Sequence, residues 1–190
     1  IVEDGPSLNA SLKSATVIKP YAFCNSRLTN IESTNNLVTI GKYAFQANYF
    51  TDFIAPKVET IGEGAFNSNQ QLKTVVLSNV VRDISFGAFN GCSSIKEFTY
   101  NDGNGSIKNN GKANDYLLID NGIIYNYMPN GKLQLNSYPG GKTSSKLEVL
   151  DGTYRIEMYA GNSNVYLQEI VLPDSLYSIG NFAFYQCNSL

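Results

Sequence analysis

The chain has 190 residues with no His, no Trp and only three Cys. Without His, neither a Ser-His-Asp triad nor a Cys-His pair can form, and zinc sites that contain His are excluded. Three dispersed thiols also fall short of the four thiolates that an all-cysteine zinc site needs. We therefore expect no catalytic residues, no metal, no cofactor and no enzymatic activity.

Long apolar runs and clusters of one charge are missing as well. No apolar run approaches the ~18–20 residues of a membrane span, so we expect no direct membrane insertion. A net charge of -2 without a basic cluster gives no electrostatic footprint for nucleic acid. The carboxylates Asp151, Glu157 and Glu169 are scattered along the chain, and we interpret them as solvated surface charge.

What the chain does contain is a repeated phrase of six residues that typically ends in Ala-Phe. Adjacent copies are 21 to 23 residues apart. The copies lie at residues 18–23, 40–45, 61–66, 84–89 and 179–184, with a degenerate one at 156–161. A large apolar residue follows each copy, namely Leu28, Phe50, Leu72, Ile95, Leu167 and Leu190. Such a period indicates a stack of similar units.

Each unit combines two spacings. Val75-x-Leu77 and Ile170-x-Leu172 alternate as a half-buried strand does, while the steps of three and four that follow favour a turn and a short helical segment. One unit buries about five large side chains, each worth roughly 1.5–3 kcal/mol. Ordering the backbone costs about 1–2 kcal/mol per residue, so a lone unit is unstable and stability belongs to the array.

The unit from Leu167 to Leu190 reads Leu-x2-Ile-x-Leu-Pro-x2-Leu-x2-Ile-Gly-x2-Ala-Phe-x2-Cys-x2-Leu. This run resembles the BspA-like leucine-rich repeat of bacterial surface and secreted proteins, and the resemblance covers nearly all of residues 17–100 and 147–190. It implies an α/β, right-handed solenoid of about six 22–23-residue coils, each a short strand with a short helical or irregular return. We expect residues 1–190 to form one domain.

The period breaks between residues 88 and 160, which are 72 positions apart where one coil would use about 23. We expect an insertion at 101–146, with a loop followed by a three-stranded β-meander that projects from the solenoid. Asn-Gly pairs at 121–122 and 130–131 favour its hairpin turns. Its tyrosines, Tyr125 and Tyr127 among them, form a recognition surface, or alternate members only pack the meander onto the coils.

The cysteines fall in or next to a column three residues before each large apolar residue. That column reads Asn25, Ala47, Asn69, Cys92, Asn164 and Cys187. The family resemblance implies that these side chains face inward towards loop backbone. Since two strand steps of about 4.8 Å separate Cys92 from Cys187 and a disulfide needs Cα atoms within ~7 Å, we predict three free thiols.

Binding is expected on the strand face, at positions that point away from the core. These residues are Glu32, Asp52, Ile54, Thr74, Val76, Thr99, Glu169 and Val171. The resemblance implies a bacterial extracellular or cell-surface module for adhesion to a protein or glycan partner. The alternative is a structural spacer within a larger surface protein or enzyme, and in either case we expect the parent chain to continue beyond Leu190.

Overall fold

The computed structural model describes residues 12–31 and 34–190, where short β-strands dominate. A three-residue 3-10 helix, Thr34–Asn36, accompanies them. The strands are β1 (Val17–Ile18), β2 (Thr39–Ile40), β3 (Asp52–Ile54), β4 (Thr60–Ile61), β5 (Thr74–Leu77), β6 (Asp83–Ile84), β7 (Thr99–Asn101), β8 (Ile107–Lys108), β9 (Gly111–Lys112), β10 (Leu117–Asp120), β11 (Ile123–Tyr127), β12 (Leu133–Ser137), β13 (Lys146–Glu148), β14 (Thr153–Ile156), β15 (Glu169–Val171) and β16 (Ser178–Ile179).

The first residues of the repeated phrase form a parallel ladder. Strands β1, β2, β4 and β6 pair in that order and place Ile18, Ile40, Ile61 and Ile84 opposite one another. All four isoleucines are buried. A β-branched side chain packs well on such a pleated surface, so each coil presents the same apolar residue to the next.

A second parallel ladder contains β3, β5 and β7. It sets Phe53 opposite Val75, and both side chains are buried, while Asp52 and Ile54 on either side of Phe53 are exposed. The alternation of buried and exposed residues that the sequence predicts is therefore present in β3.

Aromatic rings line up through the interior between the two ladders. The ring centroids of Phe23 and Phe45 are 5.5 Å apart, those of Phe45 and Phe66 are 5.6 Å apart, and those of Phe66 and Phe89 are 5.4 Å apart. Since each ring belongs to a different coil, one core runs through these four coils, and a second cluster of buried residues, Leu135, Ile156 and Leu167 among them, fills the later coils. The predicted solenoid of stacked coils is confirmed.

Of the two predicted forms of the return, helical or irregular, the structure has the irregular one, and the α/β class that depended on helical returns is not confirmed. In the return, backbone amides bond to the next coil: Tyr43 N–H donates to Glu63 O and Phe45 N–H to Ala65 O, both at 2.8 Å. Tyr43 and Ala47 also have positive φ angles of 50° and 52°, which a helix does not accommodate. In the described part of the chain, no helix is long and apolar enough to cross a bilayer.

The break in the period hides a further coil. Strand β12 pairs in parallel with β14, and β14 with β16, so that Leu135 lies opposite Ile156 and Ile156 opposite Ile179. Leu135 therefore takes the place of the first isoleucine of the phrase. The return that follows is shortened, and Tyr138 N–H donates to Ala160 O at 2.6 Å in the way that Phe45 N–H bonds to Ala65 O.

The segment before this coil is an antiparallel meander of β10, β11 and β12. Because β12 also belongs to the solenoid ladder, the meander is continuous with the sheet and does not project from it. Ile119, Ile124 and Tyr125 are fully buried and join the core. Strands β8 and β9 extend the two sheets by pairing antiparallel with β7 and β10.

The degenerate copy at 156–161 is a formed coil. Gly161 replaces the usual Phe, and the ring of Phe184 in the next coil fills the space, since a Cβ on Gly161 would lie 2.7 Å from that ring. Gly161 N–H still donates to Ala183 O at 2.7 Å. The missing side chain is thus replaced by a neighbour's.

The inward polar column holds the tight turns together. Its members are Asn48, Asn69, Cys92, Asn164 and Cys187, all of them buried. The amide nitrogen of Asn69 donates to Phe45 O at 2.9 Å and to Phe66 O at 2.7 Å. Asn25 and Ala47 were placed in this inward column from the sequence, and both assignments were wrong. Asn25 is exposed, and in the coil of Ala47 the buried position is held by Asn48.

Candidate functional site

The strand face carries most of the residues that the sequence predicted for binding. The ladder pairs Asp52 with Thr74, Ile54 with Val76, and Val76 with Thr99. These five side chains lie on one sheet, on adjacent strands. Glu32 lies outside the described residues.

The apolar residues predicted for this face, Ile54, Val76 and Val171, do not form a contiguous apolar stripe. Ile54 is 55% exposed, but its neighbour Val76 is only 6% exposed and belongs to the interior. Thr99 is half-buried and its hydroxyl donates to Val75 O at 3.0 Å. Val171 is exposed but lies in a separate two-stranded sheet, opposite Glu148.

Charge is instead the main feature of the strand face. Lys146 Nζ lies 3.0 Å from a Glu148 carboxylate oxygen and 3.5 Å from one of Glu169. Hydrogen bonds from Thr74 and Thr51 lower the pKa of Asp52. The face thus offers paired charges and hydroxyls with isolated apolar residues between them.

The tyrosines of the meander alternate between core and surface, as the packing interpretation predicted. Tyr125 is fully buried, and this burial raises its pKa to about 12. It cannot contact a partner, so its assignment to a recognition surface was wrong. Tyr127 is half-buried, and Lys112 Nζ lies 5.4 Å from its ring centroid.

A second candidate surface, which the sequence reasoning missed, lies on the return face. We use the name aromatic row for the fourth residue of the phrase in four coils: Tyr21, Tyr43, Tyr159 and Phe182. The rings of Tyr21 and Tyr43 stack at 5.5 Å, and those of Tyr159 and Phe182 stack at 5.5 Å with an interplanar angle of 8°. The signal was visible in the sequence as an aromatic residue at a fixed position in the phrase.

Two glycines join the halves of the aromatic row. Gly64 and Gly87 occupy the same phrase position in two of the coils between Tyr43 and Tyr159. A Cβ on Gly64 would lie 2.1 Å from the Tyr43 ring, and one on Gly87 would lie 3.4 Å from the Tyr159 ring. The two tyrosine rings therefore lean over the glycines from opposite sides.

A row of amide side chains runs beside the aromatic row. This amide row contains Gln46, Asn67, Asn90 and Asn162. Gln46 Nε2 lies 3.5 Å from Asn67 Oδ1, and Asn162 Nδ2 donates to Asn90 Oδ1 at 2.7 Å across 72 residues of sequence. The shortened return of the Leu135 coil permits this contact, because its chain does not reach this part of the surface.

Metal-binding and nucleophilic groups do not assemble on either face. In residues 12–31 and 34–190, no cluster of three or more Cys, Asp or Glu side chains could hold a metal ion. All three cysteines are free thiols, as predicted. Burial raises the pKa of Cys92 to about 12 and also raises the pKa of Cys187, so both thiols remain protonated at neutral pH.

Comparison with known sequences identifies the repeat. Residues 7–117 and 136–190 match the profile of the BspA type leucine rich repeat region, in six copies. The match spans more than half of the chain and omits most of the meander. Among curated proteins, none matches the sequence.

Solved structures share the fold at low sequence identity. A leucine-rich repeat protein from Eubacterium ventriosum superposes with a TM-score of 0.77 at 22% identity, over 91% of this chain and 43% of that one. A leucine rich cell surface protein from Faecalibacterium prausnitzii gives 0.69 at 23% identity, over 93% and 50%. The pneumococcal vaccine antigen PcpA gives 0.67 at 20%, over 92% and 47%. The chain spans at most half the length of these proteins.

Proposed function

The chain belongs to the BspA type leucine-rich-repeat family, and on this premise we propose that it is a non-catalytic binding module of a bacterial surface protein. Its partner is an extracellular protein or glycan. Two of the similar structures support a surface location, one described as a leucine rich cell surface protein and one as a vaccine antigen.

The observation that carries this proposal is the regular display of side chains on the solenoid. Parallel ladders repeat equivalent positions at about 4.8 Å along the stack, on a frame held by two clusters of buried apolar residues. Solenoids use such extended faces to bind other macromolecules. A rigid frame also limits the conformational entropy that is lost on binding.

The side chains available for chemistry favour binding over catalysis. The chain has no His, and the buried thiols of Cys92 and Cys187 are protonated at neutral pH. Glu157, which was interpreted as solvated from the sequence, is buried and lies 2.9 Å from Arg155, and Glu169 forms an ion pair with Lys146. Carboxylates in ion pairs are poorly suited to general acid-base work at neutral pH.

The ion pairs of the strand face support a second candidate function, that of a spacer. Lys146 forms ion pairs with both Glu148 and Glu169, so three charges of the strand face already have partners within the chain. In this role the solenoid would hold other parts of a larger surface protein at a fixed separation.

A binding screen of the purified chain against extracellular matrix proteins and glycans separates the two functions. A binding module gives at least one saturable interaction that survives physiological salt. Asp52→Asn combined with Ile54→Ser tests the strand face, and Lys57→Ser, at an exposed position outside both rows, is the control. If no member of either panel binds, the binding function is contradicted and the spacer is favoured.

A further inference from the structure

We propose that the aromatic row and the amide row together form a binding site for a neutral oligosaccharide that lies along the solenoid axis. This inference rests on the proposed binding function and names its ligand class and its surface. The site spans the coils from Tyr21 to Phe182 and lies on the return face, not on the strand face that was predicted from the sequence.

The backbone conformation of the aromatic row is unusual for aromatic residues. Tyr21, Tyr43, Tyr159 and Phe182 have positive φ angles of 60°, 50°, 62° and 57°. Bulky residues rarely adopt this region, and glycine adopts it readily. The chain itself uses glycine at this position in two coils, Gly64 and Gly87. Four aromatic residues at a position that suits glycine indicate a role for the rings beyond folding.

The rings of the aromatic row are partly exposed to solvent. Tyr21 and Phe182 are each 54% exposed, and Tyr185, which meets Phe182 edge to face at 5.7 Å, is similarly exposed. In the interior coils Tyr43 and Tyr159 are half-buried, whereas the core rings of Phe45 and Phe66 are fully covered, so part of each row ring reaches the surface. Tyrosine provides a flat apolar ring and a hydroxyl at low entropic cost, which suits recognition.

The aromatic row and the amide row continue across the break in the period. The Leu135 coil is short on this face, so Asn90 and Asn162 meet directly and the Tyr159 ring reaches Gly87. The first four coils and the last two therefore present one surface. Neighbouring coils are spaced by about 4.8 Å. This spacing is close to the length of one pyranose unit in an extended glycan, so successive sugars can meet successive coils.

The groups beside the rings are amides, which can form hydrogen bonds with a ligand. Asn67 and Asn90 lie next to the aromatic row, and their Nδ2 groups have no acceptor among the described residues. Amides both donate to and accept from vicinal hydroxyls, while the C–H faces of a sugar pack on aromatic rings. A protein partner would favour a wider apolar core than a single row of rings between polar side chains.

Charge near the rows favours a neutral ligand over an acidic one. Glu63 accepts from Lys42 Nζ at 2.7 Å and from the Tyr43 hydroxyl at 3.0 Å. The carboxylate and the ammonium group thus neutralise each other beside the Tyr43 ring. The same hydrogen bonds fix the orientation of Tyr43, so the ring is ordered before a ligand arrives.

The experiment is isothermal titration of the chain with neutral oligosaccharides, chosen from β-glucan, mannan, galactan and xylan fragments, after a glycan array has ranked them. The variants are Tyr43→Gly and Tyr159→Gly, which remove one ring each and place glycine at a positive φ, as Gly64 and Gly87 already do. Both variants are expected to fold, and circular dichroism verifies this. Tyr49→Ala and Tyr166→Ala remove exposed tyrosines outside the row and are matched controls.

We expect each row variant to weaken binding of the best oligosaccharide at least tenfold and the controls to change it less than twofold. Binding that persists in both row variants but is lost in Asp52→Asn with Ile54→Ser overturns the site and leaves the binding function standing. A chain that binds a matrix protein and no neutral glycan overturns the ligand class alone. A chain that binds nothing contradicts both proposals.

Discussion

Substitution of Asn69 tests how the tight turns of the solenoid are held. Its amide nitrogen donates to Phe45 O and Phe66 O, and its Oδ1 accepts from Asn48 N–H at 3.2 Å. The side chain is fully buried. One amide therefore joins two coils and completes three backbone hydrogen bonds away from water.

The cost of Asn69→Ala follows from what remains. The carbonyl of Phe45 keeps a bond from Asn48 Nδ2, and that of Phe66 keeps one from Cys92 Sγ, whereas Asn48 N–H loses its acceptor. A buried unsatisfied N–H costs about 1–3 kcal/mol, and each lost second bond to a carbonyl about 0.5–1.5 kcal/mol. We expect a loss of about 2–6 kcal/mol, a large part of the 5–15 kcal/mol typical of a domain.

Two further substitutions at this position test whether the loss of stability comes from the lost hydrogen bonds. Asn69→Cys should cost about half as much as Asn69→Ala, because Cys92 at the equivalent position already donates to Phe66 O at 3.1 Å. At pH 8, Asn69→Asp should destabilise the protein more than Asn69→Ala, because a buried carboxylate would face two carbonyl oxygens. At pH 5 it should destabilise the protein less than Asn69→Ala, because the protonated form of the carboxyl is favoured.

Urea unfolding, followed by tyrosine fluorescence and circular dichroism, measures these free energies. Gln71→Ala, at an exposed position two residues away, is the control and should change stability by less than about 0.5 kcal/mol. If Asn69→Ala is indistinguishable from this control, the inward polar column does not hold the turns and the reasoning fails.

Further predictions concern the thiols, the carboxylates and the meander. Alkylation at pH 8 should modify Cys24 alone in the folded chain and all three thiols after denaturation. The reason is that burial raises the pKa of Cys92 to about 12 and also raises the pKa of Cys187. Mass spectrometry that finds two modified sites in the folded chain would contradict this. The bond from Lys42 lowers the pKa of Glu63, so its stabilising contribution is present above the ordinary carboxyl pKa of about 4.3 and is lost as the pH falls through the lower folded value. The thermal midpoint should therefore drop less on acidification in Glu63→Gln than in the original chain. Tyr125→Ala should destabilise the protein by about 3–5 kcal/mol in urea unfolding because its ring is fully buried, and Tyr116→Ala, at an exposed site on the same meander, should not.

The sequence predicted the stack of coils because the period appears directly in the apolar residues. Phe45, Phe66 and Phe89 occupy the same phrase position, and a fixed position in a repeat becomes a column in space. The alternation around Phe53 likewise predicted which side chains of β3 are buried. These features depend on spacing alone, which a single sequence contains.

Other features depend on contacts between distant coils, and spacing does not contain them. The Leu135 coil lacks the phrase, so only its pairing with Ile156 reveals it. The returns have helical spacing but bond to the next coil, because positive φ angles at Tyr43 and Ala47 turn their amides outward. The burial of Val76, and with it the loss of the apolar stripe, also follows from the folded chain.

The central claim is that each coil obtains its core from its neighbours, and Phe66→Ala tests it most directly. The Phe66 ring is fully buried and contacts Phe45, Phe53 and Phe89 from the coils on both sides. Hydrogen exchange followed by mass spectrometry measures the protection of each strand. The account predicts that protection falls together in β2, β4 and β6, and less in β16. Loss confined to β4, with β2 and β6 unchanged, would contradict it.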